Sequence, residues 1–568
     1  MKSLKKKVAE AVYKGLLNIA PGAAVTADEI ITYLAYPPDD KMGDIALPCF
    51  KFAKELKMAP PAIAAKLAEN FSCEGIRSAE VAGGYLNLKI DRGALCDHIY
   101  KNTVKADKPY GTSDEGSGKT VVLDYSSPNV AKPFHIGHLG TTVIGHALKK
   151  MHEFAGYKCI GINHLGDYGT QFGKLTVAYK KWGDKEAVEQ KGIDELVALY
   201  VRFHEEAEKE PGLNDEARAA FAALEHGDPE ITQLWRWFID ISIAEYKKTY
   251  KQLDIEFDYY TGESFYTDKM PAVVEELKEK NLLTLDDGAS IVNLEEYGMP
   301  PCLILKRDGS TLYPTRDIAA AIYRKNTFDF DKCIYVTSAG QCLHFAQWFK
   351  VLELMGRDWY KDLVHIPYGT VSLNGSKLAT RTGNVVLLKD LFAEAIEKAA
   401  AVMAEKNPEL AGREDIAESV GIGAVVFYYL SANRMRDINF VLEDALNFDG
   451  NTGPYAQYTY ARTCQILHKA GAYEVSGFEP NDDEFALCKT LSLFPETFDS
   501  ALAEYEPSVI TRYILQLCAD YNRFYHNCPV LTAETEQLKA QRLALTEATN
   551  KVLAQALELI CVRHPEKI

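Results

Sequence analysis

The chain has 568 residues, of which 47% are hydrophobic and 25% charged, and its formal net charge is −17. At about 150 residues per domain, this length predicts three or four domains of an ordinary globular protein. The longest apolar stretches, such as Gly421 to Leu430, are far shorter than the roughly 20 residues of a membrane span. The acidic balance disfavours non-specific binding to nucleic acid, although a basic strip can still lie on an acidic protein.

The start of the chain, up to about Lys108, is predicted to be a mixed α/β unit. Apolar residues recur every fourth position from Leu4 to Leu16, which indicates a folded helix and not a secretion signal. APPAIAAKLAENF predicts a helix that begins at proline, and GGYLNLKI predicts a strand. The polar run KPYGTSDEGSGK, from Lys108 to Lys119, is typical of a linker.

The most informative segment is TVVLDYSSPNVAKPFHIGHLGTTVIGH, which runs from Thr120 to His146. Its apolar start predicts a strand, Ser-Ser-Pro breaks the strand, and an amphipathic helix is predicted from Leu139 onward. His135 and His138 therefore lie at a helix start, where free amide groups favour anions and two imidazoles can donate to a phosphate. The pattern predicts a nucleotide-phosphate site, and the alternatives are a metal pair or two surface histidines.

Strands alternate with helices from Thr120 to about Lys389. Further strands are predicted at KCIGIN (Lys158 to Asn163), CIYVTS (Cys333 to Ser338) and VHIPYGTVSL (Val364 to Leu373). This alternation predicts a parallel sheet that binds ligands at the carboxyl ends of its strands. A polar helical stretch from about Lys180 to Lys251, with a further segment to about Gly298, interrupts the pattern and is predicted to be an insertion.

After Asp390 the pattern is almost wholly helical, which predicts a C-terminal bundle. Apolar residues recur every seven positions near the end, at Leu538, Leu545, Val552 and Leu559. A coiled-coil dimer is the alternative, but so short a run favours packing inside a bundle, and we expect a monomer. The 12 cysteines are scattered singly, which indicates neither a zinc site nor a dense disulfide framework and fits a reducing cytoplasm.

Several segments, in order, resemble the arginyl-tRNA synthetases of class I. They are SSPNVAKPFHIGHL followed by NHLGDYGTQFG (Asn163 to Gly173), LYPTRDIA (Leu312 to Ala319), AGQCLHFAQWFK (Ala339 to Lys350), KLATRTGNVVLL (Lys377 to Leu388) and NTGPYAQYTYAR (Asn451 to Arg462). The resemblance implies an α/β N-terminal domain that contacts tRNA, a Rossmann-like parallel-sheet catalytic domain and an α-helical anticodon-binding bundle. These domains would span residues 1–112, 113–389 with a helical insertion at about 176–298, and 390–568.

The activity implied by the resemblance is ATP-dependent activation of L-arginine, with Mg²⁺, and its transfer to the 3′-terminal adenosine of tRNA(Arg). The implied catalytic residues are His135, His138, Lys132, Lys377 and Arg381. The loop around Lys377 departs from the KMSKS pattern because Thr382 stands at its second lysine position. Lys132 would compensate for the missing cation; the alternatives are a basic surface turn and a surface lysine.

The resemblance also implies two binding sets in the catalytic domain. The residues expected to bind ATP are Gly137, His164, Gly166, Asp167, Gln171 and Gly375. Those expected to bind arginine are Asp124, Tyr313 and Asp317 at the guanidinium, and Ser127, Asn129 and Gln341 at the α-amino and carboxylate end. Paired carboxylates suit a planar guanidinium and leave a wrong substrate unmatched. The alternative for Asp317 is a helix N-cap.

In the C-terminal half the expected tRNA contacts are Tyr455, Tyr458, Tyr460 and Arg462. Aromatic rings beside cations can stack on unpaired bases, and packing inside a helical bundle is the alternative. The chain departs from the family pattern at Gly140, His146 and Tyr168. Two rival functions remain open: a class I enzyme of the lysyl type, and a non-catalytic paralogue that binds tRNA or a protein partner.

Overall fold

The computed structural model describes residues 1–307, 309–373, 375–377, 386–406 and 413–568. The predicted catalytic residue Arg381 lies outside the described residues, and so does the side chain of Lys377. No helix in the described ranges has the length and apolar character needed to span a membrane.

The N-terminal part is an antiparallel sheet covered by helices. Its elements are α1 (Lys2–Ile19), α2 (Ala27–Tyr33), β1 (Ile45–Pro48), α3 (Ala53–Leu56), α4 (Pro60–Glu69), β2 (Ile76–Ala82), β3 (Tyr85–Ile90) and α5 (Arg92–Thr103). The strand order is β1-β3-β2. The predicted helices at α1 and α4 and the predicted strand at β3 are confirmed. Helix α1 buries Val8, Val12 and Leu16, which recur at every fourth position.

The next elements begin the predicted catalytic region. They are β4 (Thr120–Asp124), α6 (Leu139–Phe154), β5 (Lys158–Ile162) and α7 (Thr170–Trp182). The predicted strand and the predicted helix start at Leu139 are both confirmed. Between them, Ile136–His138 forms a single 3₁₀ turn that leads into α6.

The insertion is helical at first and then forms a small sheet. It comprises α8 (Lys185–Lys191), α9 (Ile193–Lys209), α10 (Leu213–Glu225), α11 (Pro229–Gln252), α12 (Met270–Glu279), β6 (Thr284–Asp286), β7 (Ala289–Val292) and β8 (Cys302–Leu305). The antiparallel sheet β6-β7-β8 was not predicted. Its hairpin turns at Asp287 and Gly288, both with positive φ, and an Asp-Gly pair is a strong sequence signal for such a turn.

The catalytic region resumes with α13 (Tyr313–Phe328), β9 (Lys332–Ser338), α14 (Cys342–Leu354), β10 (Leu363–Tyr368), β11 (Val371–Leu373) and β12 (Ser376–Lys377). Four strands form a parallel sheet in the order β10-β9-β4-β5, which confirms the Rossmann-like prediction. Because the strands are parallel, all four carboxyl ends lie on one edge of the sheet. That edge carries the segments that follow Asp124, Ile162, Ser338 and Tyr368.

The remainder is a helical bundle, as predicted, with one short strand. Its elements are α15 (Leu388–Lys406), α16 (Glu414–Ser431), β13 (Ile438–Phe440), α17 (Leu442–Ala445), α18 (Gly453–Ala470), α19 (Asp482–Glu504), α20 (Ser508–Asn527) and α21 (Glu536–Leu559). Leu545, Val552 and Leu559 are buried, which confirms that the seven-residue repeat of α21 packs inside the bundle.

One disulfide, between Cys96 in α5 and Cys488 in α19, joins the N-terminal part to the bundle. The two cysteines are 392 positions apart in the sequence. Sequence spacing therefore gave no sign of this pair, which only the packing of α5 against α19 brings together.

Candidate active site

The loop between β4 and α6 holds its backbone in an unusual shape at the sheet edge. Ser126, Ser127 and Ala131 have φ angles of 69°, 47° and 58°, in the left-handed region that side chains other than glycine seldom adopt. Such residues cost on the order of 1–3 kcal/mol each and persist only where their surroundings fix them. The Ser126 N–H donates to Thr141 Oγ1 at 3.0 Å, and its hydroxyl lies 2.7 Å from Tyr250 Oη. The loop is thus preorganised.

The two histidines of this loop use their Nδ1 atoms for hydrogen bonds within the loop. Nδ1 of His135 accepts from the N–H of Gly137 at 3.0 Å, and Nδ1 of His138 accepts from the N–H of His135 at 3.2 Å. Because each Nδ1 accepts, the hydrogen-bond pattern assigns the proton of each neutral ring to Nε2. The ring centroids are 4.0 Å apart.

Both histidines are neutral donors near pH 7. Burial lowers the pKa of His135, and the neighbouring Lys132 charge lowers it further. Burial lowers the pKa of His138 to about 3, and the charges of His135 and Lys132 also disfavour its protonation. Lys132 itself is exposed, and its carbonyl accepts from Tyr246 Oη at 2.8 Å. The pair can therefore donate to phosphate oxygens without a change in its own charge.

The segment after β5 lies directly beside the histidine loop. The Gly166 N–H donates to the Pro128 carbonyl at 3.1 Å, and the Val130 N–H donates to the Gly166 carbonyl at 3.0 Å. A side chain at Gly166 would place its Cβ 2.2 Å from Oδ1 of Asn129, so it would displace the Asn129 side chain. The Gln171 amide nitrogen reaches the Gly166 carbonyl at 3.5 Å.

His164 and Asp167, both predicted to bind ATP, differ in what they face. His164 Nδ1 donates to the Thr261 carbonyl at 3.0 Å, so the other ring nitrogen is directed away from this contact. Asp167 is buried, and its two carboxylate oxygens accept from the N–H and the hydroxyl of Ser264. This carboxylate therefore supports the turn Glu263–Tyr266, and its contact with ATP stays a prediction.

The predicted phosphate loop is anchored at both of its described ends. Gly375, with φ of 76°, donates its N–H to Oδ1 of Asn439 at 2.7 Å, next to the pairing of β11 with β13. Beyond the loop, the Ile136 N–H donates to the Val386 carbonyl at 3.0 Å, and Leu388 donates to the Phe134 carbonyl at 3.0 Å. The chain thus returns from the loop alongside the histidine segment.

Helix α13 carries two of the predicted arginine ligands. It begins at Tyr313 with Leu312 as its N-cap, so the alternative that Asp317 caps the helix is wrong. Tyr313 is 65% exposed, and Asp317 accepts from Nε2 of His344 at 2.6 Å. Gln341 is exposed where α14 begins.

Asp124, the third predicted guanidinium ligand, is buried at the end of β4. Its Oδ1 accepts from the Ser127 hydroxyl at 2.9 Å, and its Oδ2 lies 2.8 Å from Nη2 of Arg324. Ser127 in turn accepts from the His164 N–H at 3.2 Å. The sequence reasoning missed Arg324, although this residue shares a face of α13 with Tyr313 and Asp317.

A further acid that sequence reasoning missed is Glu263, in the turn that Asp167 supports. Its N–H donates to the Leu165 carbonyl at 2.9 Å, and its carboxylate pairs with Arg316 at 2.8 Å. Burial raises the pKa of Glu263 to about 7, and the charges of Asp167 and Asp317 also raise it, whereas Arg316 lowers it. Glu263 comes near these residues only through the fold, and its sequence carries no signal of this.

In the bundle, the four predicted tRNA contacts divide between the interior and the surface. Tyr458 is 42% exposed, and Arg462 lies between the rings of Tyr458 and Tyr525, at 5.1 and 5.0 Å. These three residues line a cavity of about 600 Å³. Tyr460 is only 8% exposed and meets His564 edge-on, and its contact with RNA stays a prediction.

Tyr455 is half-buried, and its hydroxyl accepts from the Asn522 amide at 3.0 Å. Tyr455 therefore packs and forms a hydrogen bond inside the bundle. Its exposure lies between that of Tyr458 and that of Tyr460. Tyr458 and Tyr460 differ in exposure because residues two positions apart on a helix point to nearly opposite sides.

The departures at positions 140 and 168 each have a structural reason. A Cβ on Gly140 would lie 2.2 Å from Oη of Tyr429 and 3.0 Å from the ring of Tyr368, so aromatic side chains occupy this space. Tyr168 contacts Phe221 of the insertion, with ring centroids 5.2 Å apart. His146 is buried, with Nδ1 3.3 Å from Tyr125 Oη, and burial lowers its pKa to about 3.

Three parts of the chain match three protein-family models in order. Residues 2–90 match the arginyl tRNA synthetase N terminal domain, residues 101–442 the class I (R) tRNA synthetase catalytic domain, and residues 456–568 the DALR anticodon binding domain. The arginine–tRNA ligase of Clostridioides difficile is 50% identical over 549 residues, which cover 96% of this chain and 97% of that protein. The chain belongs to the arginyl-tRNA synthetase family.

Other arginyl-tRNA synthetases agree in sequence and in fold. The arginine–tRNA ligase of Alkaliphilus metalliredigens is 49% identical over 545 residues, covering 95% of this chain and 96% of that protein. The arginyl-tRNA synthetase structure from Thermus thermophilus matches with a TM-score of 0.83 and 26% identity over the whole of both chains. The structure from Plasmodium falciparum, at 24% identity and a TM-score of 0.81, has the same fold over 99% of each chain.

Proposed function

We propose that the chain is an arginine–tRNA ligase that activates L-arginine with ATP and transfers it to the 3′-terminal adenosine of tRNA(Arg). The observation that carries this proposal is the identity of about half the residues over nearly the whole length of an arginine–tRNA ligase. The preorganised histidine pair at the strand edge supports it, because phosphoryl chemistry of this kind needs positioning and charge stabilisation above all.

In the first step, a carboxylate oxygen of arginine attacks the α-phosphorus of ATP, the bond to the bridging oxygen breaks, and pyrophosphate leaves. His135 and His138 donate their Nε2–H groups to phosphate oxygens on which charge develops. Lys132, Lys377 and Arg381 supply the cations on the phosphates. In the second step, a hydroxyl of the terminal ribose of tRNA attacks the carbonyl carbon of the adenylate, and AMP leaves.

The proposed substrate contacts come from the end of β4, from the segments that follow β4, β5, β9 and β11, and from helix α13. Asp124, Tyr313 and Asp317 bind the guanidinium, whereas Ser127, Asn129 and Gln341 bind the α-amino and carboxylate end. Gly137, His164, Gly166, Gln171 and Gly375 contact ATP. The buried Asp124 supports this assignment, because a lysine ammonium cannot match two carboxylates with the planar geometry of a guanidinium.

Mg²⁺ is the cofactor expected with ATP in this family. Among the residues that the structure describes, no group of three His, Cys, Asp or Glu side chains could hold a metal ion. Mg²⁺ commonly binds through one or two carboxylates together with substrate phosphates, so in this proposal the ion arrives with the nucleotide as part of the substrate.

The match to an anticodon binding domain supports tRNA binding by the bundle. We assign the base contact to the cavity lined by Tyr458, Arg462 and Tyr525, because aromatic rings and a guanidinium stack on unpaired bases. Tyr455 supports this surface through Asn522. The enzyme works in this proposal as a monomer in the cytoplasm, where tRNA and ATP are available.

The test is ATP–pyrophosphate exchange and tRNA charging with arginine and with lysine, each with and without tRNA. Charging with arginine alone supports the proposal, and charging with lysine supports the lysyl type. No exchange under any condition supports a non-catalytic binding protein. His138→Ala, which removes a donor, should abolish exchange, whereas Arg542→Met in the bundle should leave it.

A further inference from the structure

Arg324 is a buried charge that the mechanism above does not use. It is 1% exposed, and its Nη2 lies 2.8 Å from Oδ2 of Asp124. Within the described residues, none of its three guanidinium nitrogens has a partner in hydrogen-bond geometry. A buried charge without a full set of hydrogen bonds is expensive, and a well-packed apolar pair of similar volume is often at least as stable as a buried ion pair. The ion pair thus favours a role other than stability.

Asp124 is the charged group that contacts Arg324. The guanidinium lies 5.4 Å from the ring centroid of Tyr335, and the nearby groups Cys333 and Tyr266 are ordinarily neutral near pH 7. Asp124 also receives the Ser127 hydroxyl on its other oxygen. A carboxylate has about four acceptor positions, so two of them stay open for a further donor.

The position of Arg324 along α13 connects it to the proposed substrate contacts. Tyr313, Asp317 and Arg324 are separated by four and seven residues, and at 3.6 residues per turn they fall within about 40° on one face of the helix. One face of α13 therefore presents two proposed ligands of the substrate and the partner of the third. The ion pair ties this face to the end of β4.

Charge balance gives a second reason for the pair. Two carboxylates that wait for one cation repel each other while the site is empty. Arg324 faces Asp124, and His344 donates to Asp317, so each acid has its own internal partner. In the proposed complex, the substrate guanidinium would therefore meet two acids that already have partners within the chain.

We infer that Arg324 is a positioning residue for arginine recognition. It fixes the Asp124 carboxylate through Oδ2 and keeps α13 in a fixed position relative to the end of β4. The inference rests on the proposed role of Asp124 in binding the guanidinium. Arg324 acts through Asp124 and does not itself contact the substrate. Its loss therefore weakens the binding of arginine and leaves the binding of ATP.

The test measures KM for arginine and for ATP, and kcat, in exchange assays of the full chain with tRNA. Arg324→Met should raise KM for arginine at least tenfold while KM for ATP stays within twofold. Arg324→Lys, which keeps the charge but loses the planar fork, should raise KM for arginine less. Arg542→Met is the matched control, because Arg542 forms a buried pair with Glu484 at 2.7 Å in the bundle.

Equal increases in both KM values, or the same profile in Arg324→Met and Arg542→Met, would show a merely structural pair and overturn the inference. If Arg324→Met does not fold, Arg324→Lys decides: an unchanged KM for arginine rejects the positioning role. Asp124→Asn separates the two proposals. If it leaves KM for arginine unchanged, the role of Asp124 fails; if it raises KM and the Arg324 variants do not, only the present inference fails.

Discussion

Gly140 offers a sharp test of how tightly the site is packed. It is the second residue of α6, and a Cβ there would lie 2.2 Å from Oη of Tyr429 and 3.0 Å from a ring carbon of Tyr368. Tyr429 is buried in α16 and would have to retreat by more than 1 Å to restore an ordinary contact.

We predict that Gly140→Ala lowers stability and activity together. Overpacking a core costs about 1–3 kcal/mol, and the better helix propensity of alanine offsets about 1 kcal/mol of this, which leaves a net loss of up to about 2 kcal/mol. His138 stands two positions earlier, so a movement of the helix start displaces its Nε2–H. A displacement near 1 Å costs on the order of 100-fold in rate.

The measurement combines a urea midpoint with kcat for ATP–pyrophosphate exchange. Tyr429→Phe removes the hydroxyl at 2.2 Å and leaves a ring carbon at 2.9 Å, so the double variant should recover part of both quantities. Tyr429→Phe alone is the control. Full activity and stability in Gly140→Ala, or no recovery in the double variant, would refute the reasoning.

Three further predictions concern other parts of the site. Burial raises the pKa of Glu263 from its ordinary 4.5 to about 7, so the folded state binds this proton more tightly and wild type loses stability as the pH rises from about 4.5 to 7. Glu263→Gln removes this dependence, so its melting temperature should rise relative to that of the wild type as the pH rises from about 4.5 to 7. If the melting temperatures of the two proteins change with pH in parallel, the assignment is contradicted. Gly166→Ala, whose Cβ would lie 2.2 Å from Oδ1 of Asn129, should raise KM for arginine about tenfold, and an unchanged KM would exclude Asn129 as a ligand. Tyr458→Ala should raise KM for tRNA about tenfold, as expected for one lost stacking contact, whereas the buried Tyr460→Phe should not; equal effects would argue against the exposed ring as the base contact.

The sequence was sufficient for features that local chemistry determines. The apolar run Val121 to Leu123, the Ser-Ser-Pro break and the amphipathic stretch from Leu139 predicted a strand, a turn and a helix, and the structure has all three. The histidine pair follows directly, because a tetrapeptide at a helix start has few ways to direct its side chains.

Features that depend on distant residues were beyond the sequence. Arg324 and Glu263 acquire their roles from partners on other elements, and the contact of Cys96 with Cys488 spans most of the chain. Two features were open to prediction from the sequence. The Asp-Gly hairpin carried a clear signal, and helical periodicity already places Tyr458 and Arg462 on one face of α18 and Tyr460 on another.

The neutrality of His138 bears on the pH range over which the site keeps its hydrogen-bond donors. Because burial lowers the pKa of this ring to about 3, a drop of one or two pH units from neutrality leaves its Nε2–H in place. The carboxyl of Glu263, whose pKa burial raises to about 7, takes up a proton over that same range, so the imidazole and the acid respond to pH separately.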